Sequence, residues 1–454
     1  MPSRQDQLHS YQFSVQRVVS ALVLRETDPP QSPFRRVATA ALASVLVAVV
    51  IAAGFGVYGV FTNKGDRSWN TEGAVIIEKG TGAVFVFRDN KLHPALNLAS
   101  ALLASSSPKP PRFEVSAKSL QGVAWGPTVG VPFLPDSLPD PGTLVGLPWS
   151  VCSVSVDNKP TSVVSLGGQA GSAGRPVPSD EAIMVRAAGN TTSAADTYML
   201  WRGRLYEAKG SLASLVAPSV QPTPVPLAFL KGVTKGQPLE PPAIGAMGKP
   251  WARNIAWKVG DVLTVSGFSD DRYVVVREQG LAWVTQFQAA LLGTGKPGSE
   301  KLSDLNQYGT IESDLLPKTT LPQDPPVSLP KIETYTGSGL CAVIKDEAGE
   351  SELRADVRLD LSKRPGTATR STDGAVYADY VIVPNGRGAI VVSGQTYSLV
   401  GQDGVRYAVA NIAVLTKLGY EGKSPVRLPS SLISLLPEGP GLDPHEALVP
   451  LTVS

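Results

Sequence analysis

The chain has 454 residues, of which 41 are basic and 39 are acidic, so its formal net charge is only +2. A balance this close to neutral excludes the extended basic surface of a nucleic-acid-binding protein, and we expect no nucleic-acid partner. The length allows two or more domains, and the 44 glycines and 39 prolines spread along it favour short strands and turns over a helical bundle.

The first 36 residues form a head segment that contains one predicted helix. Apolar residues recur there at spacings of three and four, which places them in one stripe along a helix of about 20 residues. The stripe consists of Leu8, Tyr11, Val15, Val18 and Leu22. Pro29 and Pro30 end the pattern. A lone helix has no core to cover such a stripe, so we expect it to dock on a partner protein; the membrane surface is the alternative.

A transmembrane helix is predicted for residues 37–61, an uncharged run of 25 residues. A helix of this length reaches about 37 Å at about 1.5 Å per residue, and the hydrocarbon core of a bilayer is about 30 Å thick. A cleaved signal peptide is the alternative, but it needs a shorter apolar core and a small-residue cleavage site. We therefore predict a single-pass anchor in the cell membrane, followed by a linker at residues 62–71.

The charges beside this segment predict its orientation. Arg35 and Arg36 abut its first residue, whereas the far side carries Lys64 and Arg67 with Asp66 between them. Because basic residues near a span tend to stay in the cytoplasm, we expect a cytoplasmic N-terminus and an extracytoplasmic C-terminal domain.

The exported part shows an internal repeat. The segment Val84–Leu103 aligns without a gap with Tyr273–Leu292, at an offset of 189 residues, and each reads as a hairpin followed by a small helix. Two further hairpins, Tyr198–Tyr206 and Tyr397–Tyr407, are separated by about the same distance. The pattern predicts four hairpin-plus-helix repeats related by duplication.

These repeats are expected to surround a central β-rich core, which makes the exported part an α+β domain. The predicted segments are repeat 1 (72–143), the first half of the core (144–192), repeat 2 (193–250), a connector with repeat 3 (251–325), the second half of the core (326–392) and repeat 4 (393–454). Two separate β domains are the alternative.

Cys152 and Cys341 are the only cysteines, and they are also 189 residues apart. Outside the cytoplasm a pair of thiols usually forms a disulfide, which here ties the two halves of the core together. Two separate buried thiols are the alternative. A reactive thiol is disfavoured because neither cysteine has a nearby histidine or a C-x-x-C partner in sequence.

Motifs for metal or nucleotide chemistry are missing from the sequence. His9, His93 and His445 lie far from one another and from both cysteines, so no metal site is expected. The turn at 293–297 lacks the first glycine and the Ser or Thr of a phosphate-binding loop. We expect no cofactor and no catalytic residue.

Three groups of residues resemble those of the EccB family, the membrane-anchored component of the type VII (ESX) secretion system of actinobacteria. They are the segment Leu92–Leu98, the segment Trp149–Cys152, and the head pattern Gln7, Tyr11, Phe13, Arg17, Ala21, Leu22 and Arg25. The head departs from many relatives, which have two arginines where this chain has only Arg17 after Gln16.

The resemblance implies a scaffold in a membrane complex with EccC, EccD and EccE. The cytoplasmic helix would dock on the motor subunit EccC or on EccD, and the exported domains would associate with one another. Cys152 and Cys341 match the paired cysteines of the family. Because the family is sometimes labelled an ATPase, ATP hydrolysis is the second hypothesis, and a cell-wall-binding domain is the third.

Overall fold

The structure is a computed structural model that describes residues 3–24, 33–62, 67–135, 137–168, 173–189, 197–207, 219–237, 241–293, 299–309, 311, 330–349, 351–367 and 374–451. Pro29 and Pro30, positions 63–66 of the predicted linker and positions 294–297 of the predicted turn lie outside these residues. The chain forms two compact units, one of residues 1–92 and 111–125 and the other of residues 93–110 and 126–454.

Two long helices occupy the N-terminal part, α1 (Arg4–Leu24) and α2 (Pro33–Thr62). A capping box starts α1: the Ser3 hydroxyl accepts the Asp6 N–H at 3.3 Å, and the Asp6 carboxylate accepts the Ser3 N–H at 3.1 Å. Both predicted helices are therefore present, and α2 extends the predicted span of 37–61 at each end.

The first sheet follows α2. Its elements in chain order are β1 (Val75–Glu78), β2 (Val84–Arg88), β3 (Lys91–Ala95), α3 (Leu98–Ala104) and β4 (Arg112–Val115). The strand order is β3-β2-β1-β4, and β4 runs parallel to β1. In the first unit, Trp69, Ile76, Phe85 and Phe87 form the core under this sheet, and the Trp69 and Phe87 rings meet edge to face.

The remaining strands and helices belong to the second unit. The elements up to the middle of the chain are β5 (Trp149–Val156), β6 (Lys159–Leu166), β7 (Arg175–Pro176), β8 (Glu181–Ala187), β9 (Thr197–Trp201), β10 (Arg204–Glu207), β11 (Thr223–Val225) and α4 (Leu227–Gly232).

The next elements are β12 (Pro250–Trp251), β13 (Asn254–Lys258), β14 (Val262–Ser266), β15 (Arg272–Arg277), β16 (Gly280–Val284), α5 (Gln286–Leu292), β17 (Ser299–Lys301) and α6 (Leu302–Leu305). The last are β18 (Lys331–Ile332), β19 (Gly339–Ile344), β20 (Ser351–Ala355), β21 (Tyr380–Ile382), β22 (Ala389–Ser393), β23 (Thr396–Val400), β24 (Arg406–Val409), α7 (Ile412–Lys417), β25 (Val426–Arg427), α8 (Ser430–Ile433) and α9 (Pro444–Ala447).

Three of the sheets built from these strands have the topology of the first sheet. Their orders are β10-β9-β8-β11, β16-β15-β14-β17 and β24-β23-β22-β25, and in each the fourth strand runs parallel to the first. In three of the four sheets a short helix precedes the fourth strand: α3 precedes β4, α5 precedes β17 and α7 precedes β25. Residues 208–218, before β11, are not described. The predicted hairpin is thus the middle of a larger unit of three antiparallel strands, a helix and a parallel strand.

The sheets begin earlier than the sequence predicted. Strand β8 lies before the predicted start of repeat 2 at residue 193, yet it pairs with β9 of that repeat. Strand β22 crosses the predicted boundary at 392/393 and pairs with β23. Both strands are apolar and buried, so in sequence they resemble the strands of the central core.

The central sheet has the order β21-β6-β5-β19-β20-β7 and draws its strands from both halves of the chain that follows α2. One of its faces shares a core with the second and fourth repeated sheets. Large members of this core are Trp149, Leu200, Phe229, Leu340, Val391, Leu432 and Leu435. Burying each such side chain contributes about 1.5–3 kcal/mol, which fastens these sheets to the centre.

The third repeated sheet joins the others through its helix. Phe287 and Leu291 of α5 pack against Met184, Met199 and Trp201 of the second repeated sheet. Thr285 and Gln288 form a capping box at the start of this helix.

Candidate functional sites

The predicted stripe of α1 is exposed in the structure. The relative exposures are 57% for Leu8, 69% for Tyr11, 43% for Val15, 59% for Val18 and 74% for Leu22. Phe13 and Val23, outside the stripe, are also exposed. Apolar side chains at this exposure, spaced along one helix, provide the kind of surface that seats in a groove of another protein.

The start of this helix is held by a charged cap. Hydrogen bonds from the Ser3 hydroxyl and the Ser3 N–H keep the pKa of Asp6 below its ordinary value. The resulting negative charge lies at the N-terminal end of α1, where its attraction to the positive end of the helix dipole stabilises the helix.

Helix α2 is the candidate membrane anchor. Its central 20 residues, 38–57, are apolar and none of them is buried within the chain. A soluble helix of this composition would be covered by the rest of the protein, so the exposure fits a helix that is surrounded by lipid.

Cys152 and Cys341 form the disulfide that the sequence predicted. They are direct register partners on the adjacent antiparallel strands β5 and β19, with their Cα atoms 4.0 Å apart. Both are completely buried, in a small apolar cluster on the second face of the central sheet that also contains Val154, Val163, Val343, Val357, Leu361 and Ile382. The bond therefore links the two halves of the chain at the middle of their shared sheet.

A carboxylate clamps the same sheet at a point the sequence did not reveal. Asp379, just before β21, accepts the Ser162 N–H at 2.8 Å and the Ser162 hydroxyl at 2.6 Å. The Ser162 oxygen in turn accepts the Asp379 N–H at 2.9 Å. This reciprocal pair fixes the edge strand β21 beside β6, and no local pattern in sequence links residues 217 positions apart.

Tyr335 forms a second polar node at the entrance to β19. Its hydroxyl lies 2.8 Å from the Gly339 carbonyl and 3.2 Å from Asp356 Oδ1, and it accepts the Asp356 N–H at 2.8 Å. Burial raises the pKa of Tyr335 above its ordinary value. A Cβ at Gly337 would lie 2.1 Å from Asp356 Oδ1, so only glycine lets the chain fold back here.

Segment Leu92–Leu98, one of the family-like motifs, has a clear structural role in its second half. Asn97 accepts the Ser100 N–H at 2.8 Å as the cap of α3, and its amide donates to the Val131 carbonyl at 3.2 Å. The Ser100 hydroxyl accepts the Val131 N–H at 3.0 Å. The motif thus fastens the segment around Val131 to helix α3.

Histidines and carboxylates do not gather into a metal site in the part of the chain that the structure describes. Across those residues, no three His, Cys, Asp or Glu side chains lie close enough to hold one metal ion together. His93 instead lies 3.1 Å from the Pro127 carbonyl through Nδ1, beside Gly126.

The chain is similar along its whole length to known secretion components. The family model described as "Type VII secretion system ESX-1, transport TM domain B" matches residues 1–453. The "ESX-3 secretion system ATPase EccB3" of Mycolicibacterium smegmatis is 25% identical over 481 residues, covering 98% of this chain and 90% of that protein. The "ESX-2 secretion system ATPase EccB2" of Mycobacterium tuberculosis is 26% identical over 459 residues, covering 90% and 88%.

Solved structures share the fold. A chain of an intact ESX-5 inner membrane complex superposes with a TM-score of 0.64 at 22% identity, covering 100% of this chain and 96% of that chain. The EccB3 dimer from the ESX-3 core complex gives a TM-score of 0.61 at 21% identity, covering 83% of this chain and all of that one. Since the family model spans all but the last residue, the chain belongs to the EccB family of type VII secretion systems.

Proposed function

We propose that this chain is a structural component of an ESX inner membrane complex, in which it acts as a single-pass scaffold. The observation that carries the proposal is the arrangement of α1 and α2: a helix with an exposed apolar stripe precedes one lipid-compatible helix, and a large folded domain follows. Such a chain is built to connect partners on one side of a membrane with partners on the other.

The head helix is the proposed docking element, and it lies in the cytoplasm. We assign its partners as the motor subunit EccC and the channel subunit EccD, with EccE in the same complex. The exposed side chains of Leu8, Val15 and Leu22 support this assignment, because a partner groove that covers them removes apolar surface from water.

Paired charge substitutions test the docking. Val15→Asp with Leu22→Asp places two charges on the stripe, whereas Gln16→Asp places one on an exposed position off the stripe. We expect the double variant to insert into the membrane normally but to lose the other subunits on purification from mild detergent. The Gln16→Asp control should retain them. Full recovery of the complex with the double variant would contradict docking through the stripe.

The exported domain is the proposed site of self-association. A relative of the same fold is described as a dimer, and its chain matches 83% of this chain. We also propose that the four repeated sheets arose by duplication. The support is their shared strand order and the 189-residue offset, which places Val84 of β2 at Tyr273 of β15, each in the second strand of its sheet.

ATP hydrolysis is the second candidate, because the relatives carry the word ATPase in their names. The sequence offers no phosphate-binding loop, and the one turn that resembles it has Pro297 at the position where Mg²⁺ needs a Ser or Thr, so we favour the structural role. Phosphate release by the purified full-length chain with Mg-ATP tests this choice. Turnover that persists through repeated purification and is removed by one point substitution would overturn it.

A further inference from the structure

Phe133 combines two features that a folded chain normally avoids. It follows Pro132 at a turn with φ of +62°, where the backbone favours glycine or asparagine over a bulky residue. Its side chain is 90% exposed, although its neighbours Val131 and Leu134 are buried. Neither backbone preference nor burial within the chain accounts for a phenylalanine at this position.

Two more apolar side chains flank the same strip of backbone. The Leu96 N–H donates to the Val129 carbonyl, and Val129 bridges to Pro450, which places Leu96 and Val449 on either side of the strip that leads to Phe133. Leu96 is 44% exposed and Val449 is 60% exposed. We call Leu96, Phe133 and Val449 the Phe133 patch.

The turn that carries Phe133 is held firmly from behind. The Val131 carbonyl accepts the Asn97 amide, and the Val131 N–H donates to Ser100, so the backbone just before the turn is fixed to α3. A strained residue persists only where its surroundings over-determine it, and such residues concentrate at binding and switch sites. The rigid support therefore presents the aromatic ring outward on a backbone that is already ordered before any partner binds.

We propose that the Phe133 patch is a contact surface for a second copy of this chain. The proposal rests on the self-association of the exported domain given under Proposed function. A second copy fits for two reasons. First, the three side chains are uncharged, so two copies of the patch can meet without charge repulsion. Second, a related chain that matches this domain is described as a dimer. Aromatic anchors at the centre of a contact commonly dominate its affinity.

Photo-crosslinking of the full-length chain in its membrane tests the contact directly. The photoreactive analogue p-benzoylphenylalanine replaces Phe133 in one sample and Ile255 in another; Ile255 is the matched control because it is 88% exposed on β13, in the two-stranded sheet that β13 forms with β12. We expect a product of twice the 47.7 kDa chain mass from position 133 and little from position 255. Crosslinks from position 133 only to lipid or to a different protein, or none at all, would overturn the proposal.

A second variant separates the surface from the fold. Phe133→Asn suits a positive φ, so the chain should fold at least as well as the wild type. When two copies of the variant carry different tags, capture of one copy through the tag of the other should fall about tenfold for Phe133→Asn. The same capture should be unchanged for Ile255→Asn. Unchanged capture by Phe133→Asn overturns the patch but leaves self-association standing. Failure of two wild-type copies to capture each other overturns self-association itself, and the patch with it.

Discussion

Cys152 and Cys341 face each other across the adjacent antiparallel strands β5 and β19, although 189 residues separate them in sequence. The bond between them joins the first and second halves of the large C-terminal domain at the middle of one sheet. The core that fastens the second and fourth repeated sheets to the centre lies on the opposite face of the same strands. We therefore expect the disulfide to stabilise the whole second unit.

Removing the disulfide tests this expectation. The Cys152→Ala, Cys341→Ala double variant should lose about 2–5 kcal/mol of unfolding free energy, because closing so long a loop restricts the unfolded chain. Denaturant titration of the purified full-length chain measures the loss, and reduced wild type should resemble the double variant. Equal midpoints for the oxidised wild type and the double variant would contradict the account.

The Tyr335 hydroxyl should contribute measurably to the free energy of unfolding. Tyr335→Phe leaves the Asp356 N–H without the hydroxyl that accepts it and removes one of two donors to the Gly339 carbonyl, so we expect a loss of about 1–3 kcal/mol in unfolding free energy. Tyr11→Phe removes the same atom from a side chain that is 69% exposed and should change nothing. Equal effects of the two substitutions would show that the node is not stabilising.

Alkaline pH should weaken the same node. The pKa of Tyr335 is raised in the folded chain, mainly by burial, so the folded state keeps its proton where the unfolded state has lost it. The contribution to stability is fully present below about pH 10, the ordinary tyrosine value, and declines as the pH rises beyond it. Unfolding midpoints between pH 9 and 11 should fall more for the wild type than for Tyr335→Phe; parallel curves would contradict this.

Gly337 offers a sharper steric test at the same place. A Cβ added there meets Asp356 Oδ1 at 2.1 Å and the Tyr335 hydroxyl oxygen at 2.3 Å, so Gly337→Ala should cost about 1–3 kcal/mol through displacement of both groups. Gly245→Ala is the matched control, because a Cβ there meets nothing within 4 Å. A Gly337→Ala chain as stable as the control would mean that this turn adjusts freely.

The sequence predicted those features that leave a periodic or compositional signal. The three-and-four spacing from Leu8 to Leu22 predicted α1, the uncharged run predicted α2, and the pair of cysteines predicted the disulfide. The duplication that the 189-residue offset indicates stays a prediction. The closing parallel strands were missed, since β25 has two residues and β17 has three, too few for an alternating pattern.

Other features depend on contacts between distant residues and leave no local signal. The Asp379 clamp on Ser162 and the Tyr335 node arise only when the central sheet assembles. The first strands, such as β8, lie outside the segments predicted for the repeats, because the buried apolar centre of such a strand has the same composition in a repeat as in the core. The left-handed backbone of Phe133 likewise depends on a long-range contact, because Asn97 and Ser100 hold Val131, two residues before it.

The most direct test of the scaffold is the side of the membrane on which each part lies. In the oxidised chain both native cysteines are joined, so single cysteines introduced as Ser10→Cys and Gly245→Cys report the head and the large C-terminal domain separately. A membrane-impermeant maleimide applied to cells stripped of their wall should label Gly245→Cys at once and Ser10→Cys only after lysis. Labelling of Ser10→Cys in intact cells, or protection of Gly245→Cys until lysis, would contradict the account.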